Sequence, residues 1–132
     1  MPIPYRDDSK RPEIVLSRNY RNYQYYVIDV HGWLNGYVRI PFGDALYGVN
    51  WRIPVPEDEH EISRRIGDLF RNKVGPVTFG DVRLPEIDNC EQGWYWGFTG
   101  MDWTDATIED IDTGCIKLID QIIEHNNSFV RK

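Results

Sequence analysis

Gly93-Trp94-Tyr95-Trp96-Gly97-Phe98-Thr99-Gly100-Met101-Asp102-Trp103-Thr104-Asp105 is the stretch on which the fold turns. Its first half is aromatic. Along an extended chain, period-2 alternation puts Trp94, Trp96 and Phe98 on one face and Tyr95 on the other. One of those faces must be core. Its second half is polar and carries two carboxylates. Just beyond it, Thr107-Ile108-Glu109-Asp110 has capping-box spacing. Ile108, Ile111, Cys115, Leu118, Ile119 and Ile122 then recur as a helical stripe. An aromatic strand followed by an amphipathic helix predicts a sheet with a C-terminal helix across one face.

Upstream segments supply the other strands. Tyr23–Val30 is rich in rings and β-branched residues and reads as a strand. The Gly and Asn residues of His31–Gly36 read as a long hairpin loop, with Tyr37–Pro41 as the returning strand. Glu13–Leu16 reads as a short strand and polar Ser17–Asn22 as a turn. In that turn Arg18 and Arg21 lie beside Tyr20 and Tyr23, either as a solvated loop or as a cationic, ring-lined lip for an anion. Glu57–Asp58–Glu59 followed by Ile62, Ile66, Leu69 and Phe70 predicts a shorter inserted helix. Gly75–Gly80 reads as a further short strand. The expected fold class is α+β: a mainly antiparallel sheet, the C-terminal helix on one face, and one shorter inserted helix. The whole chain, 1–132, is read as one domain, with residues 1–12 as an extended or flexible arm and 126–132 as a polar tail.

Composition narrows the function classes. A net charge of −6 disfavours general nucleic-acid binding, which needs a basic face. No apolar run is long enough to span a membrane, and Met1–Asp8 shows no apolar signal core, so a cytoplasmic location is expected. Cys90 and Cys115 lack metal or redox spacing, and Cys115 falls on the apolar helix face as an inert core thiol. There is no P-loop and no GxGxxG.

Four short motifs, in order, resemble a family of small uncharacterised phage and bacterial proteins whose pattern runs GYV, GHPxYG, HGGLTF and WWxGFDCAHAGD, followed by an amphipathic helix. Gly36-Tyr37-Val38 matches the first. Gly43-Asp44-Ala45-Leu46-Tyr47-Gly48 is similar to the second, Val74–Phe79 to the third, and Trp94–Asp105 to the fourth. The resemblance covers roughly residues 23–124 and implies a common fold and a phage association, with no activity to carry over. Where the pattern has histidines, this chain has Asp44, Val74 and Asp102. Valine neither ligates a metal nor moves a proton, so His-dependent chemistry is not expected.

The candidate ligand-binding residues are His31, Arg39, Asp44, Tyr47, Trp96, Asp102, Trp103 and Asp105. His31 lies in the hairpin loop beside Trp33, while His60 and His125 read as surface residues. Arg39 and Arg52 near the rings suit a phosphate or carboxylate. Exposed rings can stack on a base or anchor a partner protein. The plainer alternative is an aromatic core with snorkelling arginines. Three functions follow. The first is a small phage-type accessory protein in the host cytoplasm that binds a host protein or a small anionic, nucleotide-like ligand without a cofactor. The second is a hydrolase assisted by Mg²⁺ or Ca²⁺ on Asp44, Asp102 and Asp105. The third is a structural protein that self-associates as a homo-oligomer. The missing motif histidines favour binding over catalysis, although Asp105 can equally serve as a helix cap.

Overall fold

A computed structural model of the chain describes residues 12–30, 32–52, 70, 74–84, 87, 91–101 and 105–130. Five strands precede one long helix: β1 (Glu13–Tyr20), β2 (Tyr23–Val30), β3 (Trp33–Arg39), β4 (Phe79–Asp81), β5 (Tyr95–Thr99) and α1 (Ile108–Val130). The strands form one sheet in the order β1-β2-β3-β5-β4, and every neighbouring pair is antiparallel. The fold is therefore α+β, as expected. The shorter inserted helix expected near residues 57–73 lies outside the described residues, apart from buried Phe70. No helix among the described residues is long and apolar enough to cross a membrane.

Alternation explains why the sheet is buried on both sides. Tyr23, Tyr25, Val27, Val38, Trp96 and Phe98 form one cluster with the helix residues Ile111, Cys115, Leu118, Ile119 and Ile122. Ile28, Tyr37, Leu84 and Tyr95 form a second cluster on the opposite face. The division of Trp94, Trp96 and Phe98 from Tyr95 follows the alternation read from the sequence. Burial of Cys115 among apolar groups pushes its thiol pKa up, as suits an inert core thiol. Ile108, in contrast, is exposed and stands outside the buried stripe.

Two expected turns are strand instead. β1 continues through Ser17-Arg18-Asn19-Tyr20, and only Arg21 and Asn22 turn, both at positive φ (51° and 70°). This is the backbone of a tight two-residue hairpin. The polar composition that suggests a turn is that of an edge strand with one solvated side. β3 likewise begins at Trp33, with Val30 paired to Trp33, so the long loop is absent. Asn35 and Gly36 are in-strand for tertiary reasons. The buried Asn35 carboxamide donates to the Tyr37 hydroxyl (2.9 Å) and accepts from the Gly100 N–H (3.3 Å), joining β3 to the end of β5.

The helix starts at a reciprocal cap. The Asp110 N–H donates to Thr107 Oγ1 (3.2 Å) and the Thr107 N–H to Asp110 Oδ2 (2.9 Å). It continues to Val130, so that 126–130, expected to be tail, are helix. Polar bonds fasten its flank to the sheet. Arg18 donates to Asp112 (3.1 Å), Tyr25 donates to the same carboxylate, and Tyr20 and Arg21 both donate to Asp120 (3.0 and 2.9 Å). The cationic lip proposed for an anion is thus not free: Arg18 and Arg21 are matched to helix carboxylates.

This arrangement makes stability sensitive to alkali. Burial first, and the Asp112 carboxylate second, push the Tyr25 phenol up from its usual 10 to about 12. Tyr23 and Tyr20 shift in the same direction. The folded chain holds these protons more tightly than the unfolded chain does. Stabilisation is therefore complete below pH about 10 and is lost as pH rises through about 12. The midpoint of urea unfolding is expected to fall across that window, and Tyr25→Phe is expected to flatten the slope.

Candidate functional site

A cavity of about 340 Å³ opens at one end of the sheet, lined by Asn19, Asn22, Gln24, Arg39, Ile40, Pro41, Phe42, Tyr47, Gln92 and Gly93. Its floor is set by strand register. Asn19 pairs with Gln24, and one residue beyond the Tyr25–Val38 pair Gln24 lies level with Arg39. Because Tyr20, Tyr23, Tyr25 and Val38 face the helix cluster, alternation turns Asn19, Gln24 and Arg39 to the other face as a lateral row. The turn after β1 adds Asn22. Its positive φ, and that of Arg21, are conformations that ordinary side chains adopt at a cost of order 1 kcal/mol.

The wall is the loop after β3. Leu46 is buried and anchors it. Successive turns are closed by Asp44 N–H to Pro41 O, Tyr47 N–H to Asp44 O and Val49 N–H to Leu46 O, each 3.0 Å. Gly43 and Gly48 supply positive φ (94° and 76°). The loop leaves Phe42 and Tyr47 outside, 89% and 38% exposed, as an edge-to-face pair 5.3 Å apart.

Arg39 is held from three sides. Its Nη1 pairs with Glu91 Oε2 (2.9 Å) and its Nη2 donates to the Gln92 carbonyl (3.1 Å). Gly93 lies against the guanidinium, where a Cβ would approach Nε to 2.6 Å. Only a residue without a side chain lets Arg39 lie there. Hydrogen bonding to Glu91 raises the pKa of Arg39, so it is a fixed cation. Gln24 donates to Ser17 Oγ (2.8 Å). Among the described residues, no side-chain hydrogen bond occupies the carboxamides of Asn19, Asn22 or Gln92.

The candidates read from the sequence divide accordingly. Arg39 and Tyr47 meet at the cavity. Trp96 does not: it is fully buried, packs edge-on against Phe70 (5.1 Å) and donates its indole N–H to the Val49 carbonyl (2.9 Å). Asp44 is a structural acceptor. Its carboxylate takes hydrogen bonds from the Tyr23 hydroxyl, Asn126 Nδ2 (2.8 Å) and the Leu46 N–H (2.9 Å). Asp105 is exposed, and the helix cap falls to Thr107 instead. His31, Asp102 and Trp103 lie outside the described residues. Asp102 of the trio proposed for a metal is thus outside the described residues, and among the described residues no group of three or more potential metal ligands is found. Arg52 sits over the Trp51 ring (5.2 Å), away from the cavity lining. His125, expected at the surface, is partly buried against Phe70 (5.3 Å), and that burial lowers its pKa.

The other lining residues, Asn19, Asn22, Gln24, Ile40, Pro41, Phe42, Gln92 and Gly93, were not among the candidates read from the sequence. Had β1 been extended to Tyr20, the Asn19–Gln24 pair opposite Arg39 would have been visible. Comparison of the chain with family models, with curated proteins and with solved structures finds no match.

Proposed function

We propose that the protein acts by binding, and that its ligand is a small ring-bearing anion of the nucleotide class seated in the cavity beside Arg39. The lateral row Asn19–Gln24–Arg39 facing the Phe42–Tyr47 pair carries this reading. Carboxamides present donors and acceptors together, the pattern that a base edge requires. Exposed rings supply a stacking surface. A planar guanidinium suits a phosphate. The volume lies at the low end of small-molecule sites. None of the ten lining residues is a carboxylate, histidine, serine or cysteine, which argues for holding a ligand over transforming it. The reading of a phage-type accessory protein in the host cytoplasm rests on the four-motif resemblance.

Calorimetric titration with the four ribonucleoside monophosphates tests this function. At least one is expected to bind in the micromolar range. Arg39→Ala should weaken it about tenfold, the scale of a lost charge-assisted contact, with an unchanged circular-dichroism spectrum. Absence of heat with all four, or an Arg39→Ala variant that binds as well as the parent, would refute it.

A further inference from the structure

Resting on that reading of the cavity, we infer that the Glu91 side chain is a resident anion on Arg39, one that the ligand's phosphate must displace to bind. The surroundings of Arg39 divide into fixed and movable partners. The fixed ones are backbone: the Gln92 carbonyl accepts from Nη2 (3.1 Å), and Gly93 lies against Nε. Glu91 is itself fixed only through its main chain, whose carbonyl accepts the buried Tyr95 hydroxyl (2.6 Å). Its carboxylate reaches Nη1 (2.9 Å) from solvent, and its side chain is 72% exposed against 29% for Arg39. Ion pairs that open to water contribute little, because solvent screens them and ordering a long side chain opposes them. When the carboxylate swings away, the backbone partners keep the guanidinium in place with Nη1 unoccupied at the rim of the cavity.

The exchange selects among anions. A carboxylate carries one charge, whereas a phosphomonoester carries −1.5 to −2 near neutral pH and offers three acceptor oxygens. A terminal phosphate therefore replaces Glu91 more effectively than a phosphodiester or a carboxylate does. The ligand class narrows to a ring bearing a phosphomonoester, and Glu91 becomes the residue that sets this preference.

Glu91→Gln tests it, since an exposed side chain can change without loss of fold. Parent and variant are titrated in parallel with the four ribonucleoside monophosphates and the corresponding nucleosides. The variant is expected to bind the monophosphates about fivefold more tightly, the upper range for releasing an exposed ion pair, and the nucleosides no differently. Equal or weaker monophosphate binding in the variant overturns it; if the parent binds and Arg39→Ala does not, the function proposed for the cavity survives that result. No binding by either protein overturns both.

Discussion

Trp96→Ala is expected to lower the free energy of unfolding by about 4 kcal/mol, in the range for deleting a large buried ring. Trp96 has no exposed surface and sits on β5, between β3 and β4. Its ring packs edge-on against Phe70, and its N–H satisfies the Val49 carbonyl at the end of the loop that carries Tyr47. Truncation therefore opens a cavity in the helix-side cluster and leaves a carbonyl without its donor. A domain of this size has a total stability of about 5–15 kcal/mol, so the variant should lose roughly 15 °C in Tm. Thermal unfolding followed by circular dichroism reads this directly. A loss below about 1 kcal/mol would mean that Trp96 is not in the core.

Gly36→Ala is expected to cost about 3 kcal/mol, the upper range for overpacking a core. A Cβ there would come within 2.5 Å of Phe98 Cζ and 2.7 Å of Cys115 Sγ. Both side chains are almost wholly buried, so neither can swing into solvent. Gly36 is thus where β3 lets the Phe98 ring and the helix close over it. The clash makes a second, non-additive expectation. Phe98→Leu alone should destabilise, yet in the Gly36→Ala background it should cost less, because the shorter side chain relieves the contact. Chemical denaturation of the two single variants and the double variant measures the coupling. Gly97 and Gly100 are constrained similarly: a Cβ would meet Tyr37 Cδ1 at 2.4 Å and the Leu34 carbonyl oxygen at 2.5 Å, respectively. Gly36, Gly97 and Gly100 therefore serve close packing around β3 and β5.

What the sequence made legible was local. The Tyr23–Val30 strand, the alternation of Trp94 to Phe98 and the Thr107 cap each depend on residues within a few positions of one another. What it hid was set at long range. Asn35 and Gly36 look like turn residues because their uses, a bond to the Gly100 N–H and room for Phe98, lie more than 60 positions away in the chain. Asp44 looks like a free carboxylate because Tyr23 and Asn126, its partners, flank it at distances no motif records. The arginines of the first hairpin look like an anion lip until helix α1 places Asp112 and Asp120 beside them. The cavity floor needs three strands in register, and the tight turn that sets that register contains Arg21 and Asn22 where a glycine would have announced it.

The proposed binding site is most directly tested by a ¹⁵N–¹H correlation spectrum recorded during titration with a nucleoside monophosphate. The side-chain amides of Asn19, Asn22, Gln24 and Gln92 and the backbone N–H of Gly93 should shift together and saturate, while Asp105 to Ile108 stay in place. Saturating shifts centred on residues 101–108, or none at the five cavity positions, would contradict the assignment of this cavity as the site.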